Sequence, residues 1–270
     1  MVGQWLRLNR LFSEGRRAVI VALDQGQFLT AARPMADVGS IVGDLCDADA
    51  MVISPGMLRY CGHAFDSRGA PLAIMRVTWS TVHCTGTEYF DSASAQMLSA
   101  RNAQAMGADM VMASLNLTET DAGTDRDSVV ALSRVVAEAR DCGLPLVTEV
   151  WPVHSAKLAS DQLARQVDAG CRVAAELGAG VVVSHFTGAA FGDLVKSCPA
   201  PVLATSQNPA LRPLDVLALT YQAVKAGARG AMFGTQILSS PNPAALVKAL
   251  SRVVKQEADP DAAAAQFGVR

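Results

Sequence analysis

Eight short apolar segments punctuate the chain, each ending in a polar cluster and separated from the next by a helical pattern or a polar loop. They are AVIVALD (18–24), AMVIS (50–54), LAIMRV (72–77), MVMASLN (110–116), LVTEVW (146–151), VVVSHF (181–186), PVLATS (201–206) and AMFGTQI (231–237). Because they are apolar on both faces, they read as strands covered on each side, the pattern of a parallel sheet. The stretches between them include DSVVALSRVVAEARDCG and SDQLARQVDAGCRVAAELGA. These carry apolar residues three and four apart, with glycine near their ends, as helices do. Eight such units in 270 residues predict an α/β fold, a closed (β/α)8 TIM barrel, in preference to an open doubly wound sheet. No linker or shift of composition divides the chain, so a single domain is expected over 1–270. Residues 256–270 are expected to form a C-terminal tail, a weakly held helix or a contact arm for another subunit.

Composition narrows the range of partners. Hydrophobic residues make up 50% of the chain and aromatic ones only 5%, so Ala, Val, Leu and Met must build the core. The 23 basic and 25 acidic residues form no block of either sign, which argues against nucleic acid and against an acidic membrane surface. The six cysteines form no CxxC pair and read as free thiols of a cytoplasmic protein. Arg7 and Arg10 interrupt MVGQWLRLNRLF, which lacks the long apolar centre of a signal peptide. No apolar run approaches the ~20 residues that span a bilayer. A small molecule, or another copy of the chain, is the expected partner.

In barrels of this kind the active site lies at the C-terminal ends of the strands. The polar residues at those ends are therefore the candidates. They are Asp24 and Gln25 after the first strand, Ser54 after the second, Arg76 and Thr78 on the third, and Asn116 on the fourth. Glu149 follows on the fifth, Ser184 and His185 on the sixth, Thr205, Ser206 and Gln207 after the seventh, and Gly234, Thr235 and Gln236 after the eighth. Asp24 and Glu149 stand in apolar surroundings, where a carboxylate is costly without a partner or a purpose. Arg76 can pair with either acid or bind an anionic group. His185 is read as a catalyst or as a packed core histidine, and His83, Cys84 and His154 lie in segments beyond strand ends. No HxH, HExxH or CxxC spacing marks a metal site, although Asp24, Glu149 and His185 are suitable ligand types.

The order of motifs resembles the class I aldolase family that includes the archaeal-type fructose-bisphosphate aldolases, deoxyribose-phosphate aldolase and the autoinducer-2 thiolase. It is carried by AVIVALDQG, AELGAGVVVSHFTG, CPAPVLATS and GARGAMFGTQILSSPNPAAL, across nearly the whole chain. The resemblance implies Schiff-base chemistry, in which a lysine on the sixth strand forms an imine with the substrate. Matched without gaps to that family's AExGADxxKTxYTG, this sequence carries Val183 at the lysine position. Gln25 likewise stands for a histidine, Ser206 and Gln207 for a Gly-Gly pair, and Gly234-Thr235-Gln236 for a GRN, the latter two belonging to the family's phosphate cradle. Of the five lysines, Lys196, Lys225, Lys248 and Lys255 fall in helical patterns and Lys157 follows the fifth strand.

These features predict an aldolase-like lyase that acts on a small polar carbonyl compound and needs no organic cofactor. Asp24, Glu149 and His185 are its expected acid–base groups. Gln25, Arg76, Ser184, Thr205, Ser206, Gln207, Gly234, Thr235 and Gln236 are its expected substrate contacts. The alternatives are a divalent metal held by some of the same side chains, and a non-catalytic homologue serving as a binding subunit. The resemblance further implies a homo-oligomer.

Overall fold

The computed structural model describes residues 2–13, 17–28, 38–84, 92–153 and 158–270. Eight parallel strands close a barrel: β1 (Ala18–Ala22), β2 (Ala50–Ile53), β3 (Leu72–Arg76), β4 (Met110–Leu117), β5 (Leu146–Pro152), β6 (Val181–His185), β7 (Val202–Thr205) and β8 (Gly230–Phe233). They neighbour one another in chain order, and β1 pairs with β8 through Ala18 opposite Gly230 to complete the ring. Each predicted segment is a strand. The eighth ends sooner than expected, because Thr235–Leu238 turns into a short helix.

Alternation along the strands sorts side chains between two apolar layers. Ile20, Val52, Ile74, Met112, Val183 and Met232 meet inside the barrel. Val19, Val21, Met51, Val111 and Val182 pack outward against the helices. Since neither face of a strand meets water, the strands lack the apolar–polar alternation of a half-exposed sheet.

The helical shell follows local signals. Helix α1 (Val2–Leu11) lies across the N-terminal end of the barrel, where Leu8, Leu11 and Phe12 join the interior cluster. Gln4 and Arg7 fasten it by donating to the carbonyls of Leu144 and Gly143. Helix α2 (Ala122–Asp141) begins at Asp121, whose carboxylate accepts the Gly123 N–H. Helix α3 (Ser160–Leu177) ends at Gly178, held at φ 116°, a left-handed conformation suited to glycine. Helices α4 (Pro213–Lys225), α5 (Pro243–Gln256) and α6 (Pro260–Phe267) each open with proline, whose missing N–H costs nothing in a first turn.

Helix α6 corrects the expectation of a weakly held tail. Asp259 caps it by accepting from Asp261 N and Ala262 N, and Ala263 and Ala264 are buried in the outer core. Small side chains allow close helix packing, and Ala263 and Ala264 form the docked face. Among the described residues, no helix is long and apolar enough to cross a membrane.

Candidate active site

The C-terminal ends of the strands surround a cavity of about 90 Å³. Arg76 on β3 organises its floor. Its Nε donates to Asp24 Oδ2 at 2.5 Å, its Nη1 to Ser114 Oγ at 2.9 Å and its Nη2 to Glu149 Oε2 at 3.0 Å. One guanidinium thus ties β3 to β4, β5 and the end of β1. The Arg76 and Asp24 side chains are 2% and 0% exposed, so this is a buried ion pair, not a screened surface contact. Burial draws the Arg76 pKa down, but the adjacent Asp24 and Glu149 charges outweigh it and raise the pKa above the ordinary value.

Above this floor the cavity is lined by aromatic and polar groups. Phe28, His83 and Trp151 form one wall, and Gln25, Thr205, Ser206, Gln207, Gly234, Thr235 and Gln236 form the rim. His83 arrives from a short 3-10 turn, Thr81–His83, inside a hairpin whose strands are Thr78–Ser80 and Ser94–Gln96. Its ring packs against Phe28 at 4.8 Å and Trp151 at 4.6 Å, while Trp151 meets His185 at 4.7 Å. His83 Nε2 lies 2.8 Å from Ser114 Oγ and 3.6 Å from Glu149 Oε2. Burial first, and the Arg76 charge second, push the His83 pKa down to about 3. A neutral ring makes no ion pair with Glu149, so the Ser114 hydrogen bond is its specific polar contact.

The fold brings together most of the expected site residues and sets three apart. Glu149 lines the cavity, with Oε2 held by Arg76 and its other oxygen unbonded among the described residues. Asp24, expected as an acid–base group, does not line this cavity; it lies beneath Arg76, with Oδ1 unpartnered among the described residues. His185 is also outside the lining, and both of its ring nitrogens are buried without a hydrogen bond among the described residues. Burial, then the nearby His83, pushes its pKa down to about 3, so it carries no proton load near neutrality. Ser184 is the clearest departure. The strand alternation that turns Val183 and His185 inward turns Ser184 away, and its hydroxyl donates to the His185 carbonyl.

The rim residues are partly committed to structure. Gln236 Nε2 donates to the carbonyls of Ser206 at 3.1 Å and Asn208 at 2.8 Å, holding the β7 loop against the end of β8. Asn208 N in turn donates to Ser206 Oγ. Gly234 has no room for a side chain, since a Cβ would stand 2.7 Å from Gln25 Nε2 and 2.8 Å from the Ala22 carbonyl oxygen. It serves as a close-packing point, with Thr235 Oγ1 beside Gln25 Oε1 at 3.4 Å.

Lys196, Lys225, Lys248 and Lys255 lie on outer helices, as expected, and pair with Asp193, Glu257, Asp47 and Asp49 respectively. Lys157 and His154 lie outside the described residues. Among those described, no group of three His, Cys, Asp or Glu side chains has the spacing to hold a metal ion. The guanidinium of Arg76 bonds both carboxylates that such a site would use.

A closed parallel barrel whose polar groups gather at the strand C-termini is the architecture of a TIM-barrel enzyme site. A model of the DeoC/LacD family aldolases matches residues 18–240, and the chain belongs to that family. An uncharacterised aldolase of Saccharolobus solfataricus is 27% identical over 267 residues, covering 96% of this chain and 97% of that protein. The 2-amino-3,7-dideoxy-D-threo-hept-6-ulosonate synthase of Halobacterium salinarum is 27% identical over 273 residues, covering 99% and 97%. The crystal structure of an archaeal fructose 1,6-bisphosphate aldolase superposes with a TM-score of 0.77 at 22% identity, over 92% of this chain and 98% of that one. This last likeness is one of fold.

Proposed function

We propose that the protein is a carbon–carbon lyase that makes or breaks an aldol bond in a small polar carbonyl compound without forming an imine. The observation that carries this reading is the cavity floor: a buried arginine shared by two carboxylates and a serine, in a chain of an aldolase family. In the cleavage direction, the free oxygen of Glu149 accepts the proton of the substrate hydroxyl. The carbon–carbon bond breaks and its electron pair passes into the neighbouring carbonyl, making an enolate. Charge then grows on an oxygen near a fixed cation, where a preformed donor is most effective. Glu149 returns its proton to the enolate carbon, so no other reactant is needed. Asp24 acts as a positioning residue that holds the guanidinium in place.

Support for an imine-free route comes from position 183. Val183 faces the barrel interior opposite Glu149 and Leu203, and no described lysine lines the cavity. Two measurements test the reading. Exchange of the carbon-bound hydrogens of dihydroxyacetone, dihydroxyacetone phosphate and pyruvate with solvent deuterium reports enolate formation by NMR. Glu149→Gln is expected to slow it by about 100-fold or more, the usual weight of a general base. Borohydride added with the same ketones is expected to leave the protein mass unchanged; a reduced adduct would overturn the imine-free mechanism.

A further inference from the structure

A substrate oxygen that becomes negative needs donors on more than one side, and Arg76 supplies them only from the floor. His83 stands on the wall of the same cavity, at a place that no strand end marks. Its ring is held between Phe28 and Trp151, so little freedom is left to it.

The hydrogen bonds around Ser114 specify which ring nitrogen carries the proton. Arginine can only donate, so Ser114 Oγ accepts from Arg76 Nη1. A hydroxyl has one hydrogen, and the acceptor within reach is His83 Nε2 at 2.8 Å. Were Nε2 protonated instead, the serine hydrogen would have no acceptor among the described residues, which burial penalises. Nε2 therefore accepts, and the proton of the neutral ring sits on Nδ1, at the opposite edge of the imidazole. The ionisable groups facing His83 are Arg76 and, across it, Asp24 and Glu149, with His185 behind Trp151. Burial and the Arg76 cation keep the ring neutral, and the Ser114 hydroxyl holds that neutral ring in one tautomer.

We propose that His83 is a catalytic residue that donates its Nδ1–H to the substrate oxygen as the enolate forms, with Ser114 as the positioning residue that sets the tautomer. This inference rests on reading the cavity as a site of enolate chemistry. His83 keeps its proton throughout; Glu149 carries the proton that moves, and the charge on oxygen is stabilised by two donors from different directions.

Nitrogen-15 NMR of histidine-labelled protein reads the tautomer directly. A protonated Nδ1 and an unprotonated Nε2 are expected from about pH 5 to 8, and Ser114→Ala is expected to mix the two forms. A ring protonated on Nε2 overturns the proposal. Deuterium exchange into dihydroxyacetone reads the chemistry. His83→Phe keeps the aromatic packing and is expected to lower kcat about 100-fold or more with KM little changed. His83→Asn, whose amide N–H can occupy the Nδ1 position, is expected to recover at least about tenfold of that loss. If His83→Phe fails to fold, His83→Gln, whose amide N–H falls at the Nε2 position instead, takes its place and is expected to be slower than His83→Asn by about tenfold. Unchanged exchange in His83→Phe overturns the role of His83 alone. Absence of exchange by the wild-type protein with every ketone overturns the reading of the site, and the role of His83 with it.

Discussion

At the scale of single residues, the site is governed by Arg76. A guanidinium buried to this depth is tolerable only because Asp24, Ser114 and Glu149 satisfy its donors, and it is in turn the cation that both carboxylates share. Arg76→Met, close in shape, would leave two buried carboxylates without a cation. Removal of one partner from such a pair costs about 3–5 kcal/mol, so urea denaturation is expected to show a loss of that size. A loss below about 1 kcal/mol would mean that the carboxylates are rehydrated or protonated on removal of Arg76. The pairing of Arg76 with either acid was legible from strand-end positions; its pairing with both was not. Likewise the two nitrogens of His185 signal nothing in sequence, because strand periodicity tells which face a side chain takes and not what stands opposite it.

Among the elements, the close approach of β8 to β1 depends on glycine. Gly230 has φ 138°, and a Cβ there would stand 1.8 Å from the Ala18 carbonyl oxygen, on the pair of strands that closes the ring. Gly230→Ala is therefore expected to cost more than about 3 kcal/mol or to prevent folding, judged by soluble yield and thermal melting. A variant that melts with the parent would show that β1 and β8 can separate at no cost. The hairpin that carries His83 was missed at the sequence level. Its strands are three residues each, too short for a periodicity to register. The one available signal was TWSTVHC, a histidine among β-branched and aromatic residues just past a strand end. The loops after β7 and β8 line the cavity, but the use of the Gln236 amide to hold the β7 loop depends on a contact between segments 30 residues apart.

For the whole molecule, two imidazoles are buried in neutral form, and acid stability follows from that. In the unfolded chain a histidine takes up its proton near the ordinary value of 6.5, whereas His83 and His185 resist until about 3. Between those values the unfolded state binds more protons, so stability is full above 6.5 and is lost as pH falls. Each ring contributes up to about 1.4 kcal/mol per pH unit over that window. Urea midpoints are expected to fall from pH 7 to pH 5, and His185→Phe to flatten the slope; equal midpoints at both pH values would show that the rings titrate normally. The barrel itself was readable from the order of segments, since eight buried strands with covering helices have few other ways to satisfy both faces. That polar strand ends would gather at one end of the barrel was readable for the same reason, because strand direction is common to all eight. Which polar groups reach the cavity was decided only in three dimensions. Asp24 lies beneath Arg76, Ser184 turns to the shell and His83 enters from a hairpin, since those outcomes depend on strand stagger and on contacts between distant segments, which a linear pattern does not encode.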